Sequence, residues 1–144
     1  MDLHTIVTTI HLFVTFSLCG LIWTIQLVHY PTFLFINQKV FNEFATFHSS
    51  QITKIVAPLM ILELLSGVYL FWSFPSLTSG ISFALIIFIW LSTAFISVPL
   101  HKKLYNAYDV TVVHKLIHTN WLRTIFWSIR SILLISFAKV VFEY

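Results

Sequence analysis

Four apolar runs separated by short polar stretches set the architecture of this chain. The first extends from Ile6 to about Val28, and its apolar character continues to Phe35. Pro31, just after His29 and Tyr30, has no N–H to donate, so it is expected to kink the helix or end it there. The second run covers about Lys54 to Trp72. The third covers about Ile81 to Val98 and is expected to stop near Pro99. The fourth opens at Asn120 or Trp121 and ends near Val141. Each run is close to the roughly 20 residues that a membrane-crossing helix needs. The stretch Ser73-Phe-Pro-Ser-Leu-Thr-Ser-Gly80 reads as a turn rich in helix breakers and capping residues. Between Gln38 and Gln51 the chain is mixed, with Phe41, Phe44 and Phe47 recurring every three residues, which predicts an interfacial helix leading into the second span. A second polar stretch, Tyr105 to His118, precedes the fourth span. The predicted fold is all-α: an integral membrane four-helix transmembrane bundle with short interfacial helices, forming a single four-span domain over residues 1–144.

Composition agrees with this pattern. Of 144 residues, 58% are hydrophobic and 9% charged, and the mean hydropathy is +0.91. A soluble domain carries about 25% charged residues, so there is too little charge here to cover a water-facing surface. The start, Met-Asp-Leu-His, lacks a basic leader, and the first apolar run is too long for the core of a cleavable signal, so that segment is expected to stay as a helix. With Cys19 alone, no intrachain disulfide forms. The calculated pI near 9.2 does not point to nucleic acid, because the basic residues are few and sit beside the spans.

Orientation follows from lysine and arginine. The first and third loops, with the adjoining span ends, hold Lys39, Lys54, Lys102, Lys103, Lys115 and Arg123, and the opposite side holds Lys139. A multi-pass protein of the cytoplasmic membrane is expected, with both termini on the outer side and the two longer loops in the cytoplasm. Trp23, Trp72 and Trp121 fall near span ends, where interfacial aromatics belong.

Two charges fall inside spans: Glu63 in the second and Arg130 in the fourth. A charge at the centre of a spanning helix costs about 2.5–3.5 kcal/mol even on insertion scales, so such residues face the bundle interior and have partners. Similar depth makes Glu63 and Arg130 the economical pair, either as a register-fixing ion pair or as a proton-handling or anion-holding site. Asn120, Arg123, Trp127 and Arg130 are spaced three, four and three apart, which puts them on one face of the fourth helix, bordered by Thr124. That face should look inward, although Arg123 alone also fits a side chain reaching for lipid phosphate.

Seven histidines are an unusually large share of the polar residues. His29, His48, His101, His114 and His118 fall on the cytoplasmic side; His4 and His11 lie towards the outer side. Imidazole is the commonest metal ligand and holds haem iron in many proteins, so His29, His48 and His101 converging at one end of a bundle would make a metal or haem site. Gln26, His29 and Tyr30 share one helical face. No paired-ligand spacing within one helix adds to the metal reading, and histidine is also tolerated at headgroup level. The 15 phenylalanines serve as lipid-facing bulk and packing, or line a pocket for a flat hydrophobic ligand.

The segment Ser97-Val-Pro-Leu-His-Lys-Lys-Leu104, followed by Thr119-Asn-Trp-Leu-Arg-Thr124, resembles the pattern of the anthrone-oxygenase-like family of small four-helix membrane proteins. The resemblance implies that Asn120, Arg123 and Thr124 line a shared site, with His101 standing where that family often has asparagine. More faintly, His11-Leu12, Gly20-Leu-Ile-Trp23 and Pro58-Leu-Met60 with Gly67 are similar to the first two helices of HemJ-type protoporphyrinogen oxidases. That similarity implies His11 as an axial haem ligand.

The functional expectation is a membrane-embedded oxidoreductase, or a haem- or transition-metal-binding redox protein, acting on a hydrophobic aromatic substrate. Glu63, Arg130, Arg123 and Asn120 are its catalytic candidates; His11, His29, His48 and His101 are its cofactor candidates, the last three also its metal ligands. Its partners are the lipid bilayer, a hydrophobic small molecule and, as a homo-oligomer, further copies of itself. The rivals are a small proton-coupled transporter or channel using Glu63 and the histidines, and a non-catalytic membrane assembly subunit.

Overall fold

The structure, a computed structural model, describes residues 2–142 and the side chains of residues 2–135. Among the described residues all regular structure is helical. Four long rods follow one another: α1 (Leu3–Phe35), α2 (Phe41–Ser73), α3 (Leu77–Asn106) and α4 (Val110–Phe142). The first three are long and apolar enough to cross a membrane. Short links at 36–40, 74–76 and 107–109 force neighbours in sequence to alternate in direction. Two of these links meet at one end, where the Asn42 side chain donates to the Asn106 carbonyl at 3.1 Å. The 74–76 turn lies at the other end beside the start of α1, with the His4 ring 5.0 Å from that of Phe74. α1 packs against α2 and α4, and α3 closes the bundle against α2 and α4.

The helix starts follow from local chemistry. Asp2 accepts the Thr5 N–H at 2.7 Å. Ser76 and Ser79 form a reciprocal capping box at the head of α3. Asp109 accepts both the hydroxyl and the N–H of Thr111 at the head of α4. Both acids are exposed, and these bonds to the ionised form hold each carboxyl below its ordinary range, through the Thr5 N–H for Asp2 and the Thr111 hydroxyl for Asp109.

The rods outrun the apolar runs. The Gln38–Gln51 stretch is no separate interfacial helix, because from Phe41 onward it is continuous with α2. α3 begins at Leu77 rather than Ile81, and α4 begins at Val110 rather than at Asn120 or Trp121. Lysine, glutamine and glutamate are good helix formers, so polarity marks where an apolar face ends but not where hydrogen bonding stops.

Neither Pro31 nor Pro99 ends its helix. Each follows a π-helical turn, Ile25–His29 in α1 and Thr93–Ser97 in α3. The widened turns take up the missing proline N–H and the ring's clash with the preceding turn. A π turn inserts about one residue, so everything after it is rotated by about 100° relative to an uninterrupted helix. Tyr30 and His101, both just past such a turn, are thereby brought together.

The surface and the interior are inverted relative to a soluble protein. Phe13, Trp72 and Phe95 are 67%, 77% and 74% exposed, while Glu63, Asn120 and Arg130 are fully buried. Gly67 lets the rods close around that interior: a Cβ there would sit 2.5 Å from Ile86 Cδ1 and 3.3 Å from His11 Cε1.

Candidate functional site

Two polar centres lie inside the bundle. In the deeper one, Arg130 of α4 pairs with Glu63 of α2, both fully buried, as their similar depth in the sequence predicts. Glu63 also accepts the Thr15 hydroxyl at 3.0 Å and the Trp127 indole N–H, which lies 3.2 Å from each carboxylate oxygen. Arg130 donates through Nε to the Ser82 carbonyl at 3.2 Å and through Nη2 to His11 Nε2 at 3.1 Å. All four rods thus contribute to one network, which satisfies the condition on which a buried charge pair is tolerated.

The network also fixes the state of His11. A guanidinium has no acceptor, so Nε2 must offer its lone pair to Arg130. The ring proton then sits on Nδ1 and is donated to Ser66 Oγ at 2.7 Å. Ser66 passes its own hydrogen to the Leu62 carbonyl at 2.6 Å.

The second centre lies towards the end that holds the 36–40 and 107–109 links. Gln26 of α1 donates to the Ile117 carbonyl at 3.2 Å and accepts from Asn120 Nδ2 at 2.8 Å. Asn120 Oδ1 in turn accepts from Arg123 Nη2. Arg123 also donates to the Tyr30 hydroxyl at 3.2 Å, and that hydroxyl lies 3.0 Å from His101 Nε2. Having accepted from arginine, the hydroxyl sends its hydrogen on to His101 Nε2, which leaves the imidazole proton on Nδ1. Nitrogen-15 NMR of labelled protein should therefore show both His11 and His101 as neutral Nδ1–H tautomers. An Nε2–H signature at either would break the hydrogen-bond direction argued here.

Between α1, α2 and α3, with Arg123 and Trp127 of α4 at its back, lies a cavity of about 350 Å³. Leu18, Ile22, Val56 and Met60 make much of its wall apolar, and Tyr30, His101, Lys102 and Arg123 make part of it polar and basic. Five buried side-chain polar atoms among the described residues lack a hydrogen-bond partner: Thr8 Oγ1, Trp90 Nε1, Ser92 Oγ, His101 Nδ1 and Arg123 Nε. Three of these five belong to residues lining this cavity, namely Trp90, His101 and Arg123. Each of the three is an N–H donor, and an unpaired buried donor costs about 1–3 kcal/mol.

The sequence candidates divide accordingly. Arg123 and His101 line the cavity; Asn120 stands behind Arg123 and orients it. The reading of Arg123 as reaching for lipid phosphate fails, because it is buried and bonded to Asn120 and Tyr30. Thr124 is buried and donates to the Asn120 carbonyl at 3.1 Å, so it does not line the cavity. Glu63 and Arg130 lie behind the wall, and among their described hydrogen-bond partners Trp127 is the one that lines it. Trp90 and Tyr30 carry more of the site than their sequence neighbourhoods suggest. A tryptophan at mid-span, away from its usual interfacial place, is the signal that points to Trp90.

His29, His48 and His101 come together at one end of the bundle. His29 Nε2 and His48 Nδ1 share a hydrogen at 2.6 Å, and the His48 ring is 6.2 Å from that of His101. Among the described residues no three of His, Cys, Asp and Glu are arranged to hold a metal ion. For His11 to ligate haem iron, its Nε2 would have to leave Arg130 or its Nδ1 would have to leave Ser66, so the donor set does not fit that group. His4 bonds to Tyr69 at 3.0 Å, and His114 and His118 are exposed on α4.

No family model matches this chain, and no curated protein or solved structure is significantly similar to it, so its chemistry is read from its own residues.

Proposed function

We propose that the chain is a membrane-embedded oxidoreductase acting on a hydrophobic aromatic substrate held between its helices. The observation that carries this reading is the set of three unpartnered N–H donors on residues lining one largely apolar cavity. Such a lining suits a ring compound with acceptor oxygens. Arg123 and His101 are placed to stabilise negative charge on a ring oxygen, and Lys102 adds to the positive potential there. A substrate with an acidic ring C–H would lose its proton more readily in that field. With dioxygen as oxidant, the resulting carbanion is oxidised at carbon: the ring CH₂ loses two hydrogens, one oxygen atom becomes the carbonyl and the other leaves as water. The anthrone-oxygenase-like motifs at Ser97–Leu104 and Thr119–Thr124 support the same reading. No step is assigned to haem or a metal.

The test uses protein in lipid nanodiscs with 1,8-dihydroxyanthrone as probe substrate, following oxygen uptake and the visible band of the quinone product. Stoichiometric uptake dependent on folded protein is expected. A folded protein that neither binds the probe nor raises oxygen uptake above the lipid blank would rule the function out.

The chain is further proposed to lie in the cytoplasmic membrane with both termini outside. The basic residues Lys39, Lys54, Lys102, Lys103 and Lys115 lie towards the end that carries the 36–40 and 107–109 links. Single cysteines placed in those links in a Cys19-free background should resist an impermeant maleimide added to intact cells. Labelling there, with protection at 74–76, would reverse the orientation.

A further inference from the structure

The deeper polar centre meets the cavity at one side chain. Trp127 is 1% exposed, lines the cavity, and gives its indole N–H to both oxygens of Glu63 at 3.2 Å. Glu63 is itself fixed by Thr15 and Arg130, and Arg130 by Ser82 and His11. Neither charge of the pair lines the cavity. The indole therefore has one edge anchored in a rigid, four-helix polar network while its ring forms part of the wall that a substrate would meet.

We propose that Trp127 is the ring-positioning residue of the cavity, and that Glu63 and Arg130 act on the ligand through it rather than by touching the ligand. This rests on the cavity being a ligand site. An indole tethered by its N–H cannot turn about its side-chain bonds, so it offers a flat wall in one orientation. That favours offset stacking against a planar ring system. A ring without the tether keeps its apolar area but adapts to any shape. The device therefore sets specificity, favouring planar over twisted aromatics, and does so by removing freedom before binding rather than by adding a contact. Thr15, Ser82 and His11 belong to the same buttress. They are positioning groups of a further rank: Thr15 bonds directly to the indole's carboxylate anchor, and Ser82 and His11 reach it through Arg130.

The test compares two phenolic ketone probes in nanodiscs by equilibrium binding: planar 1,2-dihydroxyanthraquinone and 4-hydroxybenzophenone, whose rings are twisted. Trp127→Phe keeps an aromatic ring and removes the tether. It should weaken the planar probe about tenfold, the equivalent of one well-made contact, and leave the twisted probe within about twofold. E63Q/R130Q, which removes both charges together and so leaves neither unpaired, should weaken the planar probe in the same direction. Added to Trp127→Phe, it should have no further effect, because its influence runs through the indole. Equal loss of both probes in Trp127→Phe, or additive losses in the combined variant, would overturn the positioning role while leaving the cavity as a ligand site. Failure of the wild-type protein to bind either probe would overturn the ligand site and this inference together. Should E63Q/R130Q not fold, Thr15→Val and Trp127→Phe supply the same comparison. Thr15→Val is expected to weaken the planar probe by less than Trp127→Phe does and to add nothing to it.

Discussion

Glu63→Gln or Arg130→Gln alone is expected to cost about 3–5 kcal/mol of stability, the usual penalty for leaving a buried charge without its partner. The remaining charge would keep its desolvation cost in a fully enclosed interior, where Arg130 would still face Ser82 and His11 and Glu63 would still face Thr15 and Trp127. Removing both charges is a different matter. E63Q/R130Q should lose markedly less than the sum of the single changes, because the pair's attraction and its desolvation largely offset each other. The reversed pair, E63R/R130E, should recover only part of the loss. Opposite charges would again face each other, but the Ser82 carbonyl would meet an acceptor and the Trp127 N–H would meet a donor. Unfolding of purified protein by a denaturing detergent, followed by circular dichroism, measures all four variants. Single variants as stable as wild type would show that these groups are not paired in the membrane.

The second large effect concerns turnover. Arg123→Gln should lower the rate of 1,8-dihydroxyanthrone oxidation by about 10²-fold, the loss typical when one donor to a developing oxyanion is removed. Arg123 donates to both Asn120 and Tyr30 and keeps an unpartnered Nε, so the change removes charge and disturbs the Tyr30–His101 chain at once. Arg123→Lys should restore little. An ammonium supplies charge, but it lacks the planar fork that reaches two partners while leaving a third N–H free. If the substrate meets Arg123 only as the reaction proceeds, the loss falls on kcat; if it meets it on binding, KM rises as well. Wild-type turnover in Arg123→Gln, measured as initial oxygen uptake, would remove this residue from the chemistry.

Much of the frame was legible along the chain. Apolar runs of spanning length recur, and the charges inside them had to be turned inward because hydrocarbon does not solvate an ion. The three-four-three spacing of Asn120, Arg123, Trp127 and Arg130 placed all four on one inward face, and all four are buried. The ends of the rods were less legible. Polar stretches such as Gln38–Gln51 and Tyr105–His118 interrupt the hydrophobic pattern without interrupting the helix over most of their length, since the backbone bonds are local and the residues are good helix formers.

The histidines mark the boundary of what pattern can decide. Sequence depth sorted His11 with His4 as outer-side residues, yet His4 sits at the rim against Tyr69 while His11 is held between Arg130 and Ser66 at the core. His29, His48 and His101 were expected at one end and are there. Whether three rings converge on a metal or bond to one another and to Tyr30 depends on rotations of a few tens of degrees, and spacing along the chain carries no record of those.

By itself the sequence determined an all-helical, largely apolar chain with the charges inside its apolar runs, Glu63 and Arg130, on inward faces, because helix periodicity and the cost of burying charge are properties of single segments. Only the tertiary structure decided which groups meet. The π turns before Pro31 and Pro99 rotate Tyr30 and His101 towards each other and Arg123, and the packing of four rods joins Glu63 to Trp127 and so to the cavity wall. Those contacts join residues far apart in the chain, and they are set by helix rotation and approach, which no local pattern encodes.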